Sequence, residues 1–305
     1  MSANFYRAFE DKHRGSRDII KTRLRAYLPF IQPLAHLHPG LAALDLGCGR
    51  GEWLELLQDH HIPAQGVDLD DGMLAACRER GFNVTNADAI AHLRAQPDHS
   101  LLFITGFHIA EHLPFEVLQT LFAQAHRALM PDGLLILETP NPENLVVGTA
   151  SFYMDPTHQR PLPAQLLGFL AEHHGFARAK ILRLQEEARL LDGAQPSLYD
   201  VLGGVSPDYA LIAQPSPQAD EPPALTQAFA QESGVSLYAL ASGYDAQVVK
   251  VEQQHNVQAQ IQQTLAFAQQ SAQRADQFAA ALQALHTSHS WRITRPLRWL
   301  AGLFR

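Results

Sequence analysis

The chain is organised around Leu41 to Trp53, LAALDLGCGRGEW, where a short apolar run, a glycine-rich turn and the start of a helix follow one another. Leu41, Ala42, Ala43, Leu44 and Leu46 predict a buried strand, with Asp45 one residue before its end. Gly47, Gly49 and Gly51 then let the backbone turn where side chains would clash. From Glu52 onward, Trp53, Leu54, Leu56 and Leu57 recur at helical spacing. Strand, glycine turn and helix N-terminus together predict the nucleotide-binding corner of an open α/β sheet.

The spacing of the glycines narrows the ligand. A dinucleotide fingerprint wants G-x-G-x-x-G to seat a pyrophosphate on the helix end. Here the run is G-C-G-R-G, and Asp45 beside it suits a cationic ligand and would repel a pyrophosphate. The phrase D-L-G-C-G-R-G resembles the first motif of class I S-adenosylmethionine-dependent methyltransferases. The resemblance implies a Rossmann-like α/β fold, a seven-stranded sheet with helices on both faces, and S-adenosylmethionine as cofactor, with Asp45, Gly47, Cys48, Gly49 and Gly51 around its methionine part.

The downstream order agrees. Gln65 to Leu69 predicts a second strand, and Asp68 lies about 20 residues past the glycines, where an acid meets ribose hydroxyls in such folds. Asp70 or Asp71 fits a helix-capping acid better. By the resemblance, Leu69 and Met73 lie against the cofactor and Met73 rests on its adenine; Asp88 and Ala89 resemble the family's third motif. Phe82 to Thr85 predicts the third strand and Ser100 to Thr105 the fourth, with Gly106 and Phe107 on the cofactor at its carboxyl end.

The segment G-F-H-I-A-E-H-L-P contains His108, Glu111 and His112 as H-x-x-E-H, a spacing that also occurs in zinc peptidases. That use needs a long helix, and Pro114 interrupts one, so no metal is expected. The resemblance places Glu111 and His112 facing the transferred methyl, with His112 as the catalytic candidate; a loop histidine bonded to backbone is the plain alternative. Phe115 to Leu129 predicts a helix, Met130 to Gly133 a turn, and Leu134 to Leu137 the fifth strand. The loop E-T-P-N-P after it, with Asn141, and the segment Phe152 to His158 then supply acceptor candidates Tyr153 and Asp155 and a second catalytic candidate, His158. A helix over Ala164 to His174, strands Arg178 to Leu184 and Asp208 to Ala213, and an irregular connection between the strands complete the pattern. The family's sheet ends in such a pair, the last strand antiparallel and inserted between strands five and six.

Residues 3 to 34 predict a helical N-terminal region. Its opening, FYRAFEDKHRGSRDIIK, resembles the N-terminal segment of bacterial methyltransferases that modify or terminate lipopolysaccharide O-antigen chains, as does E-T-P-N-P. The resemblance offers Tyr6, Phe9, Arg14 and Arg17 as a lid over cofactor or acceptor; a docking helix with solvated charges is the alternative. A polysaccharide or sugar acceptor, and a polysaccharide polymerase or transferase as partner, follow from it as expectations.

The domain is expected to span 1–214 with an N-terminal helical cap, then a Pro-rich linker at 215–223, a helical region at 224–290 and a basic tail at 291–305. Ile261, Leu265, Ala268, Ala272, Ala275, Ala279 and Leu282 alternate at four and three residues, a weak heptad seam within 257–285 for a homo-oligomer. The whole chain carries −8 and WRITRPLRWLAGLFR carries +4, so the remainder carries −12. Leu297, Leu300, Ala301 and Phe304 fall on one face of that tail, and Trp291 and Trp299 suit a membrane interface, so peripheral contact with the inner membrane is expected. A docking helix for a partner protein is the rival. S-W-R-I-T-R-P-L-R resembles a terminal segment of bacterial surface-polysaccharide enzymes.

At 46% hydrophobic, 18% charged and a mean hydropathy of −0.13, with no run of 18 apolar residues, a cytoplasmic protein is expected. The N-terminus is too charged for a signal peptide. Cys48 and Cys77 read as reduced thiols. The negative charge argues against a nucleic-acid partner. The favoured function is methyl transfer to a sugar hydroxyl or sugar phosphate of a surface polysaccharide; a small metabolite such as a quinone precursor, or a scaffold that retains the fold, are the alternatives.

Overall fold

A computed structural model describes residues 15–302, and the expectations for Tyr6, Phe9, Arg14, Phe304 and Arg305 fall outside them. The helices Arg17–Leu24 (α1) and Leu28–Leu37 (α2) flank a short 3-10 turn at Arg25–Tyr27. The helical N-terminal region is thus divided in two, because Pro29 lacks the amide that a continuous helix would use and instead sits in the first turn of α2.

The sheet follows as Ala42–Leu46 (β1), Ala64–Asp68 (β2), Val84–Asn86 (β3), Leu101–Phe107 (β4), Leu129–Pro140 (β5), Arg178–Leu184 (β6) and Asp208–Gln214 (β7). Its order is β3-β2-β1-β4-β5-β7-β6. β7 runs antiparallel between β5 and β6, as the resemblance implied. Several strand bounds differ from the sequence expectation, most of all those of β5. β3 starts two residues later, and β5 begins at Leu129, so Met130 to Gly133 belongs to the strand rather than to a separate turn. The register between β4 and β5 shifts from Leu101↔Leu129 to Phe103↔Leu134, which absorbs those four residues as a bulge. The connection between β6 and β7 holds two short helices, Ala188–Leu191 and Leu198–Gly203.

Both faces of the sheet are covered, so the strands are apolar on both sides. Along β5, Leu135 and Leu137 join one core with Leu118, Leu121 and Phe122 of the helix Phe115–Ala128. Leu134 and Ile136 join the other with Tyr27, Phe30, Trp53, Leu56 and Leu57. The helix Glu52–Asp59 (α3) therefore lies on the α1–α2 face and Phe115–Ala128 on the opposite one.

The compact unit runs to Tyr244, past the expected boundary at 214. The helix Pro223–Ala230 beyond the Pro-rich stretch buries Leu225 and Ala228 in the α1–α2 core, which is why the unit does not end with the sheet. A second unit begins at Asp245 within the 51-residue helix Leu237–Thr287. Every residue from 248 to 287 is exposed, the seam residues included. His289–Ile293 and Arg295–Gly302 are short helices beyond it. Among the described residues, no helix is long and apolar enough to cross a membrane.

Gly66 shows how tightly β2 packs under the turn after β1: a Cβ there would stand 2.7 Å from both Cys48 Sγ and Leu54 Cδ1. We expect Gly66→Ala to lower stability by about 1–3 kcal/mol through overpacking, read as a lower urea midpoint, and to disturb the Cys48 loop.

Candidate active site

Strand β1 ends in a turn in which Gly47, Gly49 and Gly51 have φ of 71°, 50° and 77°. A Cβ on Gly51 would also lie 2.9 Å from Cys77 Sγ, so the third glycine serves packing beneath the turn. Asp45 is buried and accepts a hydrogen bond from Thr105 Oγ1 of β4 at 2.7 Å, which ties the two central strands together at their carboxyl ends. Asp68, at the end of β2, accepts from the backbone N–H of Gly49 at 2.9 Å and of Asp70 at 2.8 Å, clamping the glycine turn to the next loop. Asp70 caps the helix Asp71–Glu79 through Gly72 and Met73, the role expected of Asp70 or Asp71. Asp88 likewise caps Ala89–Arg94 through Ala91 N at 2.8 Å. Cys48 and Cys77 are buried and free, and the contact between them with burial pushes the Cys48 thiol far above its usual range.

These elements open into a cavity of about 610 Å³. Asp45, Gly47, Cys48, Gly49, Asp68, Leu69, Met73, Asp88, Ala89 and Phe107 line it, with Trp53 of α3. Gly51 and Gly106 do not; a Cβ on Gly106 would meet Ile109 Cγ2 at 2.7 Å, so that glycine admits the loop after β4 rather than a ligand.

The far end of the cavity is built by β4, β5, β7 and the segment after β5. His112, Asp155 and His158 line it, and Thr157 joins His112 to Asp155 in a row of hydrogen bonds. The Thr157 hydroxyl donates to Asp155 Oδ1 at 2.6 Å and lies 2.9 Å from His112 Nδ1. A carboxylate only accepts, so Thr157 Oγ1 accepts from His112 Nδ1–H, and His112 Nε2 is left as the bare nitrogen. Burial lowers the pKa of His112, partly against the nearby Glu111 carboxylate, which favours the neutral ring at neutral pH. His158 Nδ1 donates to the Phe152 carbonyl at 2.6 Å, and its ring stands edge to face with that of His112, centroids 4.6 Å apart.

Three expected acceptor residues lie elsewhere. Glu111 is fully buried behind the cavity, accepting from Thr139 Oγ1 at 2.9 Å and contacting His108 Nδ1 at 3.2 Å. Asn141 is buried and bonds the Ser206 carbonyl at 2.8 Å and Glu143 N at 3.0 Å, so it fixes the E-T-P-N-P loop. Tyr153 is 63% exposed and outside the lining. Arg17, offered as a lid residue, reaches α3 instead, binding Glu55 at 2.5 Å and the Arg50 carbonyl.

The sequence reading missed a second polar group in the same cavity: Arg23, His108, Glu138, Gln185 and Asp208. Glu138 accepts from the buried Tyr27 hydroxyl and from Gln185 Nε2 at 3.1 Å, and its carboxylate stands 3.3 Å from His108 Nε2. His108 and Gln185 both adopt left-handed backbone, with φ of 55° and 67°, a strained state for non-glycine residues that the contacts to Glu138 hold in place. Burial alone would lower the His108 pKa, but hydrogen bonds to Glu111 and Glu138 raise it well above the ordinary value. Burial beside Glu138 and Glu111 pushes Asp208 up to about 6, opposed by His108 and Arg23. H-x-x-E-H marks His108, but its partners come from distant strands and no local pattern points to them. The zinc reading of that motif is not realised: among the described residues His108 and His112 fall into two separate groups, His108 with Glu138 and Asp208, and His112 with Glu111 and His158.

The glycine turn, the Asp68 clamp and a rim of carboxylates, with Arg23 as the one Lys or Arg in the lining among the described residues, fit S-adenosylmethionine, a cationic nucleoside, better than a pyrophosphate. Comparison with known proteins agrees. Residues 17–181 match the family described as a methyltransferase domain. The chain is 34% identical to a SAM-dependent methyltransferase of Archaeoglobus fulgidus of known structure, covering 69% of this chain and 99% of that one with a TM-score of 0.60. It is also 31% identical over 145 residues to a probable S-adenosylmethionine-dependent methyltransferase of Mycolicibacterium smegmatis, covering 48% of this chain and 55% of that one. A trans-aconitate 2-methyltransferase of Rhizobium meliloti is 34% identical over 145 residues, or 46% of this chain and 50% of that one. The chain spans about half the length of these last two relatives, and neither is named for a polysaccharide. The fold and the cofactor corner define a class I methyltransferase. The chain belongs to the S-adenosylmethionine-dependent methyltransferase family.

We expect Asp68→Ala to weaken S-adenosylmethionine binding about tenfold to hundredfold by calorimetry, since it removes a carboxylate whose charged hydrogen bonds are each worth about 1.5–3 kcal/mol. Because the same carboxylate clamps the glycine turn to the next loop, thermal stability should fall as well.

Proposed function

We propose that this chain transfers a methyl group from S-adenosylmethionine to a hydroxyl of a sugar, in a cell-surface polysaccharide such as O-antigen, with His112 as general base. The hydrogen-bonded row His112–Thr157–Asp155 carries the reading. When bound, the cofactor supplies a methyl group on a cationic sulfur, which a neutral oxygen can take once its proton has somewhere to go. Asp155 fixes the Thr157 hydroxyl, Thr157 fixes the His112 ring, and the bare Nε2 accepts the hydroxyl proton. His158, held by the Phe152 carbonyl, walls the same end and keeps the base desolvated.

The acceptor end is lined by Glu138, Asp155, Asp208, Gln185 and Ser151, groups that accept hydrogen bonds from a polyol. A tricarboxylate acceptor, as the name of the Rhizobium meliloti relative implies for that protein, would meet several carboxylates there and, among the described residues, Arg23 and His108 as cations. The resemblance of E-T-P-N-P and the N-terminal segment to O-antigen methyltransferases points to the sugar. Label from S-adenosylmethionine appearing in lipid-linked glycan, against trans-aconitate offered to the same enzyme, tests the choice; label in the acid alone would overturn it.

We expect His112→Ala to lower kcat about 10²–10⁴-fold while cofactor affinity stays unchanged. Because burial lowers the His112 pKa, the base stays neutral as pH falls past the ordinary histidine range. The acid limb of kcat/KM should therefore lie below the pKa of a free histidine, with activity lost only as the proton finally binds.

The tail supports attachment to an anionic surface. Leu297, Trp299 and Leu300 are exposed, and the Arg298 guanidinium lies 3.6 Å from the Trp291 ring centroid. Each arginine near an anionic leaflet adds about 1 kcal/mol. Replacing Arg292, Arg295 and Arg298 by Gln should weaken flotation with phosphatidylglycerol vesicles by about a hundredfold, and unchanged flotation would favour protein docking.

A further inference from the structure

We propose that His108, Glu138 and Asp208 form a binding site for a divalent cation of the Mn²⁺ type at the acceptor end of the cavity. The three residues come from the ends of three adjacent strands: His108 follows β4, Glu138 lies in β5 and Asp208 opens β7. The antiparallel register pairs Glu138 with Ala210 and Pro140 with Asp208, so the two carboxylates are diagonal neighbours on one face of the sheet. The backbone N–H of His108 donates to the Glu138 carbonyl at 2.9 Å, which brings the imidazole to the same place. One ligand atom from each of the three lies within 4.8 Å of the others. Octahedral bonds of about 2.1 Å put adjacent ligands about 3.0 Å apart and opposed ones about 4.2 Å apart, and the 3.3 Å between His108 Nε2 and the Glu138 carboxylate is already close to the spacing of an adjacent pair.

Two independent features point to a ligand there. Glu111, fully buried and held by Thr139, engages His108 Nδ1 and turns Nε2 toward Glu138. A carboxylate behind a histidine, fixing which nitrogen faces the site, is the usual support of a metal-binding imidazole. The Asp208 carboxylate, meanwhile, lines the cavity and accepts no hydrogen bond from the described residues. Glu138 is held by Tyr27 and Gln185 and keeps lone pairs for a cation. One imidazole with two carboxylates is a mixed nitrogen and oxygen set that suits Mn²⁺, and the cavity leaves the remaining positions to water or acceptor oxygens.

An acceptor hydroxyl bound to that ion would be acidified, so its proton passes to His112 more readily. This use of the ion rests on the hydroxyl-methylation reading; binding of the ion does not.

The test uses the full chain, stripped with chelator and titrated with Mn²⁺ alone, followed by calorimetry and pulsed electron paramagnetic resonance. One ion should bind per chain, with nitrogen modulation from the imidazole. Asp208→Ala and His108→Ala should each weaken binding about tenfold or more, and His108→Ala should abolish the modulation. S-adenosylmethionine binding measured on the same samples reports separately on the methyltransferase reading and on folding of the variants. No binding at millimolar Mn²⁺, or affinity unchanged in Asp208→Ala, overturns the proposal. Should a variant fail to fold, the wild-type spectrum decides, since bound Mn²⁺ without nitrogen modulation also overturns it.

Discussion

The reversal of strand order at β1 and β4 is the constraint on which this molecule depends. The two strands pair in parallel, and the Thr105–Asp45 hydrogen bond locks them near their carboxyl ends. Their chains then leave in opposite directions: α3 packs on the face that holds Tyr27 and Trp53, and Phe115–Ala128 on the other. Two loops that part in this way leave a crevice that no side chain of the sheet fills. The glycine turn forms one lip of that crevice and the segment from His108 to His112 the other.

How much could be read in the sequence follows from how local each part of the site is. The cofactor half is written in short stretches, with the glycines, Asp68, Met73, Asp88 and Ala89 each standing at or just past a strand end. All of these line the cavity except Gly51, which a packing contact with Cys77 explains. The other half is assembled across long separations. Tyr27 meets Glu138 over 111 residues, and Gln185 reaches the same carboxylate over 47. No periodicity announces such a meeting. Glu111, Asn141 and Tyr153 show the converse error: a position beside a motif fixes the neighbourhood of a side chain but not whether it turns toward the cavity, into the core or to solvent.

The two histidines of the loop after β4 illustrate how neighbours in sequence acquire different chemistry. His112 is partnered by a hydroxyl and desolvated, so its ring tends to neutrality. His108 is bracketed by Glu111 and Glu138, which favour its charged form in the absence of any other cation. Four residues apart, one ring suits proton transfer and the other answers to charge. The strained backbone of His108 and Gln185 is the cost of aiming both at Glu138, and burial of Tyr27 against Trp53 and Phe107 helps to hold that arrangement.

One wall of the cavity is of a different kind. Ile20, Arg23 and Leu24 reach it from α1, whose outer edge is fastened to α3 by Arg17 on Glu55 and by Lys21 on Glu55 and Asp59. The Lys21–Glu55 hydrogen bond raises the lysine pKa and lowers that of the acid. Such partly exposed pairs are screened by salt, whereas the apolar contacts under the sheet are not. Enclosure of the site and cohesion of the fold therefore answer to different variables, and ionic strength becomes a handle on the first that leaves the second almost untouched.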